Sequence, residues 1–308
     1  MPTYGVIDLG SNSIRMVIYD VKDDRKDAYC GKDFKSIIND KVMAGLAAFV
    51  VDGVFTQAGI DRAVSVLRGH AKRARYFGCA RLDVFATAVL RNAKNCDEAV
   101  AAIERGCGLP IALLSARDEA HLGFVGAGLD RALGRATLVD IGGGSTELSR
   151  VEGARDAQGV SIGQGSLSSF ADHVASVVPT PAELDAIERA FRARLEALGD
   201  LTPYRAKALL GVGGSVRAAA KMLAQMNGAA LRPKTITASD VRGILDLCRN
   251  HPDRFAHTAL KASAERVHTL APGCVILHTL FDELGAAQLD ICKYGVREGY
   301  LVNRMLAR

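Results

Sequence analysis

The middle of the chain carries a strand pattern that is broken by three consecutive glycines, ATLVDIGGGSTELSR at residues 136–150. An apolar strand ends at Asp140, and the run Gly142, Gly143 and Gly144 then removes the side chains that a strand normally packs. Glycines allow backbone N–H groups to come close to a ligand, and a nest of such groups favours an anion. The segment therefore predicts a strand, an anion-binding loop and a second strand.

Further polar groups lie on the second of these strands. If it begins at Ser145, the alternation of side chains places Ser145 and Glu147 on one face, beside the strand-end carboxylate of Asp140. Two carboxylates and a hydroxyl beside an amide nest suit a phosphate that is held together with a hard cation. We therefore expect Mg²⁺, or Mn²⁺ in its place, at Asp140 and Glu147, with Ser145 among the phosphate ligands.

The N-terminus repeats the pattern in YGVIDLGSNSIRMVIYD at residues 4–20. An apolar strand ends at Asp8, a turn follows, and both copies share the spacing Asp-x-Gly-x-x-Ser. Two copies imply two similar halves that face each other across a cleft, with Asp8 as a further candidate metal ligand. The phosphate ligands expected in this first turn are Gly10, Ser11, Asn12 and Ser13.

Composition limits the classes of function. The 308 residues are 49% hydrophobic, which is enough for two domains with full cores. A net charge of +5 mildly favours polyanionic ligands, although a basic protein without such a ligand would look the same. The sequence has no basic run with interleaved aromatics, the pattern that would predict nucleic-acid binding. No apolar stretch reaches the length of about 18 residues that would predict a membrane span. The cysteines form no C-x-x-C pair. We expect a cytoplasmic protein with neither a nucleic-acid nor a membrane partner.

Six blocks of sequence, in order along nearly the whole chain, resemble the exopolyphosphatase/guanosine pentaphosphate phosphohydrolase (Ppx/GppA) family of the actin-like, sugar-kinase-like superfamily. The blocks are DLGSNSIRM, ATAVLRNAKN, SARDEAHLGFVGAG, LVDIGGGSTEL, LLGVGGSVRA and YGVREGYL. The resemblance implies an α/β fold in which two ribonuclease-H-like, actin-like ATPase domains flank a central cleft. We place the N-terminal domain at residues 1–124 and the C-terminal domain at residues 125–308.

The resemblance also implies roles for two charged residues. Arg91 ends a strand at the sheet edge where α/β folds place ligands, it matches the substrate-contacting arginine block of the family, and its guanidinium can bind phosphate in a bidentate way. Glu119 precedes an alanine, as the catalytic glutamate of the family does. An acid in a first helical turn often only complements the helix dipole. A carboxylate there should stay ionised, and it could orient and deprotonate an attacking water.

Gly213 and Gly214 lie between a strand and a helix, in a region that contacts ligand elsewhere in the superfamily. We expect them to contact phosphate, although close packing of a helix on a strand also requires glycine. The chain departs from the family pattern at Ala116, Asp118 and Ser168, where the family usually has glycine, glutamate and arginine. The first two departures bear on the pose of Glu119, and the third could remove a substrate contact.

The expected reaction is Mg²⁺-dependent release of terminal orthophosphate from inorganic polyphosphate by water attack, with guanosine pentaphosphate as the alternative substrate. An ATP-dependent phosphotransferase and a non-catalytic phosphate or nucleotide sensor are further alternatives. The presence of Glu119, Asp140 and Glu147 argues against the sensor. By analogy with the family, we expect a homodimer.

Overall fold

The computed structural model describes residues 2–22, 27–153 and 155–307. The chain forms two compact units. Unit 1 consists of Met1–Arg131 and Tyr294–Arg308, and unit 2 consists of Ala132–Lys293.

Unit 1 begins with three strands and continues with alternating helices and strands. Its elements before residue 132 are β1 (Thr3–Leu9), β2 (Ser13–Val21), β3 (Phe34–Met43), a 3-10 turn (Leu46–Phe49), β4 (Val50–Val51), β5 (Val54–Phe55), α1 (Gln57–Tyr76), β6 (Arg81–Ala86), α2 (Ala88–Arg91), α3 (Cys96–Cys107), β7 (Ile111–Leu113) and α4 (Ala116–Ala127). The main sheet has the order β3-β2-β1-β6-β7. Its first three strands are antiparallel, whereas β6 and β7 run parallel to β1.

Strand β1 is central to unit 1 because its apolar side chains are buried on both faces of the sheet. Ile7 and Leu9 belong to one hydrophobic cluster, together with Leu67 of α1. Val6, which points the other way, belongs to a second cluster with Leu122 of α4. Helices on the two faces therefore fix β1, and with it the turn that follows Leu9.

Unit 2 starts with another set of three strands. Its elements are β8 (Arg135–Ile141), β9 (Thr146–Glu152), β10 (Arg155–Ile162), α5 (Ser166–His173), α6 (Pro181–Ala197), a 3-10 turn (Thr202–Tyr204), β11 (Ala208–Val212), α7 (Gly213–Met226), β12 (Thr235–Thr237), α8 (Ala238–Asn250), α9 (Pro252–Ser263), a 3-10 turn (Ala264–Arg266), α10 (Val267–Leu284) and β13 (Gln288–Ile291). The sheet order is β10-β9-β8-β11-β13-β12, and helix α10 packs against α5, α6, α7 and α8.

The two sheets repeat one topology. In each, three antiparallel strands are followed by strands parallel to the first, and unit 2 adds the antiparallel strand β12. The α/β class expected from the sequence is confirmed, and the two Asp-x-Gly-x-x-Ser segments occupy equivalent hairpins, β1–β2 and β8–β9.

The C-terminal segment, with α11 (Val296–Tyr300) and a π-helical turn at Leu301–Leu306, packs in unit 1. The two units therefore differ from the domains expected from the sequence, which had their boundary at 124/125 and placed all of residues 125–308 in one domain. The physical reason is a close backbone contact between α4 and α11, since a Cβ at Gly299 would overlap the carbonyl of Leu122. Tyr294 adds a hydrogen bond from its hydroxyl to the carbonyl oxygen of Gly31 at 2.9 Å.

Within the part of the chain that the structure describes, no helix is both long enough and apolar enough to cross a membrane.

Candidate functional site

The first glycine turn, between β1 and β2, is closed by backbone hydrogen bonds. The N–H of Gly10 donates to the carbonyl oxygen of Ser13 at 3.1 Å. The carbonyl oxygens of Ser11 and Asn12 accept hydrogen bonds from N–H groups of residues 44–47. The phosphate ligands predicted in this segment, Gly10, Ser11, Asn12 and Ser13, therefore lie together in one turn whose backbone is held from outside.

The carboxylate of Asp8 lies among cations. Asp8 pairs across the hairpin with Arg15, and its Oδ2 accepts a hydrogen bond from Nη1 of Arg297 at 2.8 Å. Burial raises the pKa of Asp8, and the nearby guanidinium of Arg297 opposes that rise. Asp8 as a metal ligand stays a prediction, and the partner that the structure gives it is Arg297.

The sequence reasoning missed both arginines beside Asp8. A signal for Arg15 was present, because a hairpin closed by Gly10 and Ser13 places Arg15 opposite Asp8. Arg297 lies in the GVREGY block, which the sequence predicts in the C-terminal domain, and only the long-range fold brings it to Asp8.

The second glycine turn, between β8 and β9, has the same closure as the first. The N–H of Gly142 donates to the carbonyl oxygen of Ser145 at 2.9 Å. The carbonyl oxygens of Gly142 and Gly143 accept hydrogen bonds from N–H groups of residues 166–168, at the start of α5. Gly144 completes the turn, so the phosphate ligands predicted in this segment, residues 142–145, also lie in one turn with fixed carbonyls.

Acidic and hydroxyl groups meet beside this second turn. Asp140 and Glu147 are directly opposite in the β8–β9 hairpin, and Glu147 is buried. Its Oε1 accepts hydrogen bonds from Oγ of Ser145 at 2.6 Å and from Oγ of Ser161 at 2.8 Å. The structure thus brings together the three residues that the sequence placed on one face. Ser161 was missed, although it pairs with Glu147 across the β9–β10 hairpin.

Gly213 and Gly214 begin helix α7 and allow close approach of charged side chains. Gly213 has a φ of 85°, and a Cβ there would overlap Oδ1 of Asp140. A Cβ at Gly214 would overlap the guanidinium of Arg266. Both glycines lie beside charged groups of unit 2, and their contact with phosphate stays a prediction.

Arg91 and Glu119, both in unit 1, form an ion pair. Arg91 is the last residue of helix α2 and does not end a strand as the sequence predicted, because β6 stops at Ala86 and the chain turns into a helix at Ala88. Nη1 of Arg91 donates to Oε2 of Glu119 at 2.7 Å and to the carbonyl oxygen of Leu114 at 3.1 Å. Both side chains are largely buried, with 15% of Arg91 and 13% of Glu119 exposed. The predicted phosphate-binding arginine and the predicted catalytic carboxylate therefore occupy one site.

Two of the departures from the family pattern, Asp118 and Ser168, have structural roles. Asp118 accepts hydrogen bonds from Oγ of Ser115 at 2.6 Å and from Nη2 of Arg304 at 2.9 Å. The bond from Ser115 lowers the pKa of Asp118, and the same serine caps α4. Ser168 caps α5 through a hydrogen bond from the N–H of Gly165 at 2.9 Å. Glu119 therefore extends from a helix whose first turn is firmly capped.

Comparison with known proteins gives a consistent picture. The model of the Ppx/GppA phosphatase family matches residues 24–308. The chain is 25% identical to Exopolyphosphatase 1 of Mycobacterium leprae over 312 aligned positions, which cover 98% of this chain and 89% of that protein.

Two solved structures share the fold. The Aquifex aeolicus member of the Ppx/GppA family has a TM-score of 0.76 at 21% identity, covering 99% of this chain and 98% of that one. An exopolyphosphatase from Cytophaga hutchinsonii has a TM-score of 0.83 at 17% identity, covering 99% and 97%. With its family match over nearly the whole length, the chain belongs to the Ppx/GppA phosphatase family and is a hydrolase that acts on phosphoanhydride bonds.

Proposed function

We propose that the protein is a Mg²⁺-dependent exopolyphosphatase that releases terminal orthophosphate from inorganic polyphosphate. The observation that carries this proposal is the Arg91–Glu119 pair, which puts a phosphate-binding cation and a carboxylate base in one site of a Ppx/GppA protein. The name of the Mycobacterium leprae relative supports polyphosphate as the substrate.

Glu119 is the proposed general base. Its carboxylate accepts a proton from water while the water oxygen forms a bond to the terminal phosphorus. The bond from that phosphorus to the bridging oxygen breaks, and the bridging oxygen leaves with its electron pair as the new end of a shortened chain. General-base catalysis of this kind contributes about 10²- to 10⁴-fold to the rate.

The two turns and Arg91 are the proposed phosphate ligands. Backbone N–H groups in Gly-rich turns and a planar guanidinium both match phosphate oxygens, and they need little rearrangement once their partners are fixed. Hydrogen bonds to their carbonyl oxygens fix the geometry of both turns. The donors are N–H groups of residues 44–47 for the first turn and of residues 166–168 for the second. Phosphoryl transfer depends mainly on such positioning and on charge neutralisation.

The acidic pair of unit 2 fits a magnesium ion. Asp140 and Glu147 offer oxygen donors only, which suits a hard cation. Mg²⁺ is usually held by one or two carboxylates together with substrate phosphates and water. When bound, the ion would neutralise charge on the phosphate.

Side-by-side substrates test the proposal. Phosphate release with Mg²⁺ is measured from medium-chain polyphosphate, guanosine pentaphosphate and ATP. Release from polyphosphate at the highest kcat/KM is the expected result. A preference for guanosine pentaphosphate, the other substrate class of the family named by the sequence resemblance, would move the function to nucleotide signalling. Release from none of the three would contradict a phosphohydrolase function.

A further inference from the structure

We propose that the substrate itself frees the catalytic base: the terminal phosphate displaces the Glu119 carboxylate from Arg91. This inference rests on the function proposed above. It concerns the order of events at that site, and it makes the ion pair between the two residues a resting state rather than the reactive arrangement.

The anchoring of Arg91 supports this order. One terminal nitrogen, Nη1, reaches both Oε2 of Glu119 and the carbonyl oxygen of Leu114. Leu114 follows strand β7, so the guanidinium is tied to the sheet as well as to the carboxylate. When a phosphate arrives, Arg91 can keep its bond to the backbone while its contact with Glu119 is replaced.

Phosphate and carboxylate compete for the same donors. A guanidinium presents a planar fork of N–H groups that matches the oxygens of either anion. A terminal phosphate carries more negative charge than a carboxylate, and both Arg91 and Glu119 are largely withdrawn from water, so the exchange favours the phosphate.

The exchange also changes the surroundings of the Glu119 carboxylate, the proposed base. An adjacent cation stabilises the ionised carboxylate and so reduces its affinity for a proton. After the phosphate has taken the guanidinium, the Glu119 carboxylate has lost its contact with Arg91 and can accept a hydrogen bond from the attacking water instead. Water is activated only when a phosphate is in place to receive it.

Charge repulsion between Glu119 and the phosphate is a simpler explanation than competition between them for Arg91. Both explanations predict that Glu119→Gln tightens phosphate binding, because the substitution removes a negative charge from the site. Competition requires Arg91 for this effect, since the gain comes from releasing its guanidinium. Repulsion between Glu119 and the phosphate operates with or without Arg91.

The test is a double-mutant cycle on orthophosphate binding, measured by isothermal titration calorimetry at fixed Mg²⁺. The proteins are the wild type, Glu119→Gln, Arg91→Met and the double variant. We expect Glu119→Gln to lower the Kd roughly three- to tenfold in the presence of Arg91, and less than about twofold in the Arg91→Met background. Equal tightening in both backgrounds, or none in either, would overturn the proposal.

Two controls keep the result interpretable. Glu188→Gln neutralises another carboxylate that is paired with an arginine, Arg192 at 2.9 Å on α6, and should leave the Kd unchanged. If Arg91→Met does not fold, Arg91→Lys takes its place. It keeps the charge but loses the planar fork, and should show a smaller benefit from Glu119→Gln than the wild type does.

Failure of this proposal and failure of the proposed function can be told apart. Polyphosphate hydrolysis by the wild type with an additive cycle would refute the displacement and leave the enzyme function intact. Strong coupling in the cycle without hydrolysis of polyphosphate would refute the function, and the competition for Arg91 would stand.

Discussion

At the scale of single residues, Gly213 decides how closely helix α7 approaches Asp140. Its φ of 85° lies in the left-handed region, and the place of its missing Cβ is taken by the Asp140 carboxylate. The glycine thus satisfies two requirements at once, one of backbone conformation and one of space.

Gly213→Ala should therefore lower stability and disturb the acidic pair. The left-handed conformation alone costs an L-residue about 1–2 kcal/mol. The matched control is Gly228→Ala, which has a φ of 61° but no heavy atom of the described chain within 4 Å of the new Cβ beyond its immediate neighbours. Thermal unfolding should show a larger fall in Tm for Gly213→Ala than for the control. Equal falls would mean that the contact with Asp140 adds nothing.

His70 makes the stability of unit 1 depend on pH. Its ring is fully buried on α1, 3.3 Å from Asp40 and 3.5 Å from the carbonyl oxygen of Ile14. Burial lowers the pKa of His70, and this outweighs the attraction of Asp40. The unfolded chain therefore takes up a proton at a higher pH than the folded chain, so stability is full above about pH 6.5 and falls as the pH drops below it.

Urea unfolding at pH 7.5 and at pH 5.5 measures this dependence. We expect the wild type to lose more stability over this interval than His70→Phe does, because the variant lacks the titrating group. The same loss in both proteins would show that other groups cause the pH dependence.

At the scale of elements, α4 carries Glu119 and is held by the C-terminal helix α11. The contact depends on Gly126 and Gly299, because each lies where a Cβ would meet backbone atoms of the other segment. The helix that carries the proposed base is thus positioned by residues near the other end of the chain.

Gly299→Ala should push α4 away from α11 and lower both Tm and kcat. Gly243→Ala in α8 is the matched control, since no atom from elsewhere in the described chain lies within 4 Å of its added Cβ. The control should be neutral, or more stable by about 0.5–1 kcal/mol, because alanine favours a helix. A Gly299→Ala protein with unchanged kcat would contradict the positioning role of α11.

The strands and hairpins that carry the site were largely predictable from local sequence patterns. The two glycine hairpins followed from apolar strands interrupted at Asp8 and Asp140, and the approach of Ser145 to Glu147 followed from strand alternation. The return of the C-terminal segment to unit 1, and with it the Asp8–Arg297 pair, was not predictable. These contacts join residues almost a chain length apart, and no local periodicity encodes them.

At the scale of the whole molecule, one duplicated topology places residues of opposite charge beside its two turns. The residue opposite the turn aspartate is Arg15 in unit 1 and Glu147 in unit 2. A cation beside the first turn favours an anion alone, whereas a second carboxylate beside the other turn favours a cation. The sequence showed the duplication, and the pairing register shows where the copies diverge. The expected homodimer stays a prediction.

Glu147→Gln should raise the Mg²⁺ concentration needed for half-maximal phosphate release by about tenfold or more. Glu152→Gln, at the exposed end of the same strand, is the control and should leave this requirement unchanged. Binding of Mn²⁺, followed by electron paramagnetic resonance, reports the same loss without turnover. Unaltered Mn²⁺ binding would remove Glu147 from the proposed metal site.

The proposed role of Glu119 in activating the attacking water is tested best by the kcat for phosphate release from polyphosphate by Glu119→Gln. We expect this kcat to fall about 10²- to 10⁴-fold while the thermal unfolding profile stays that of a folded protein. A folded variant that keeps a kcat near that of the wild type would contradict it.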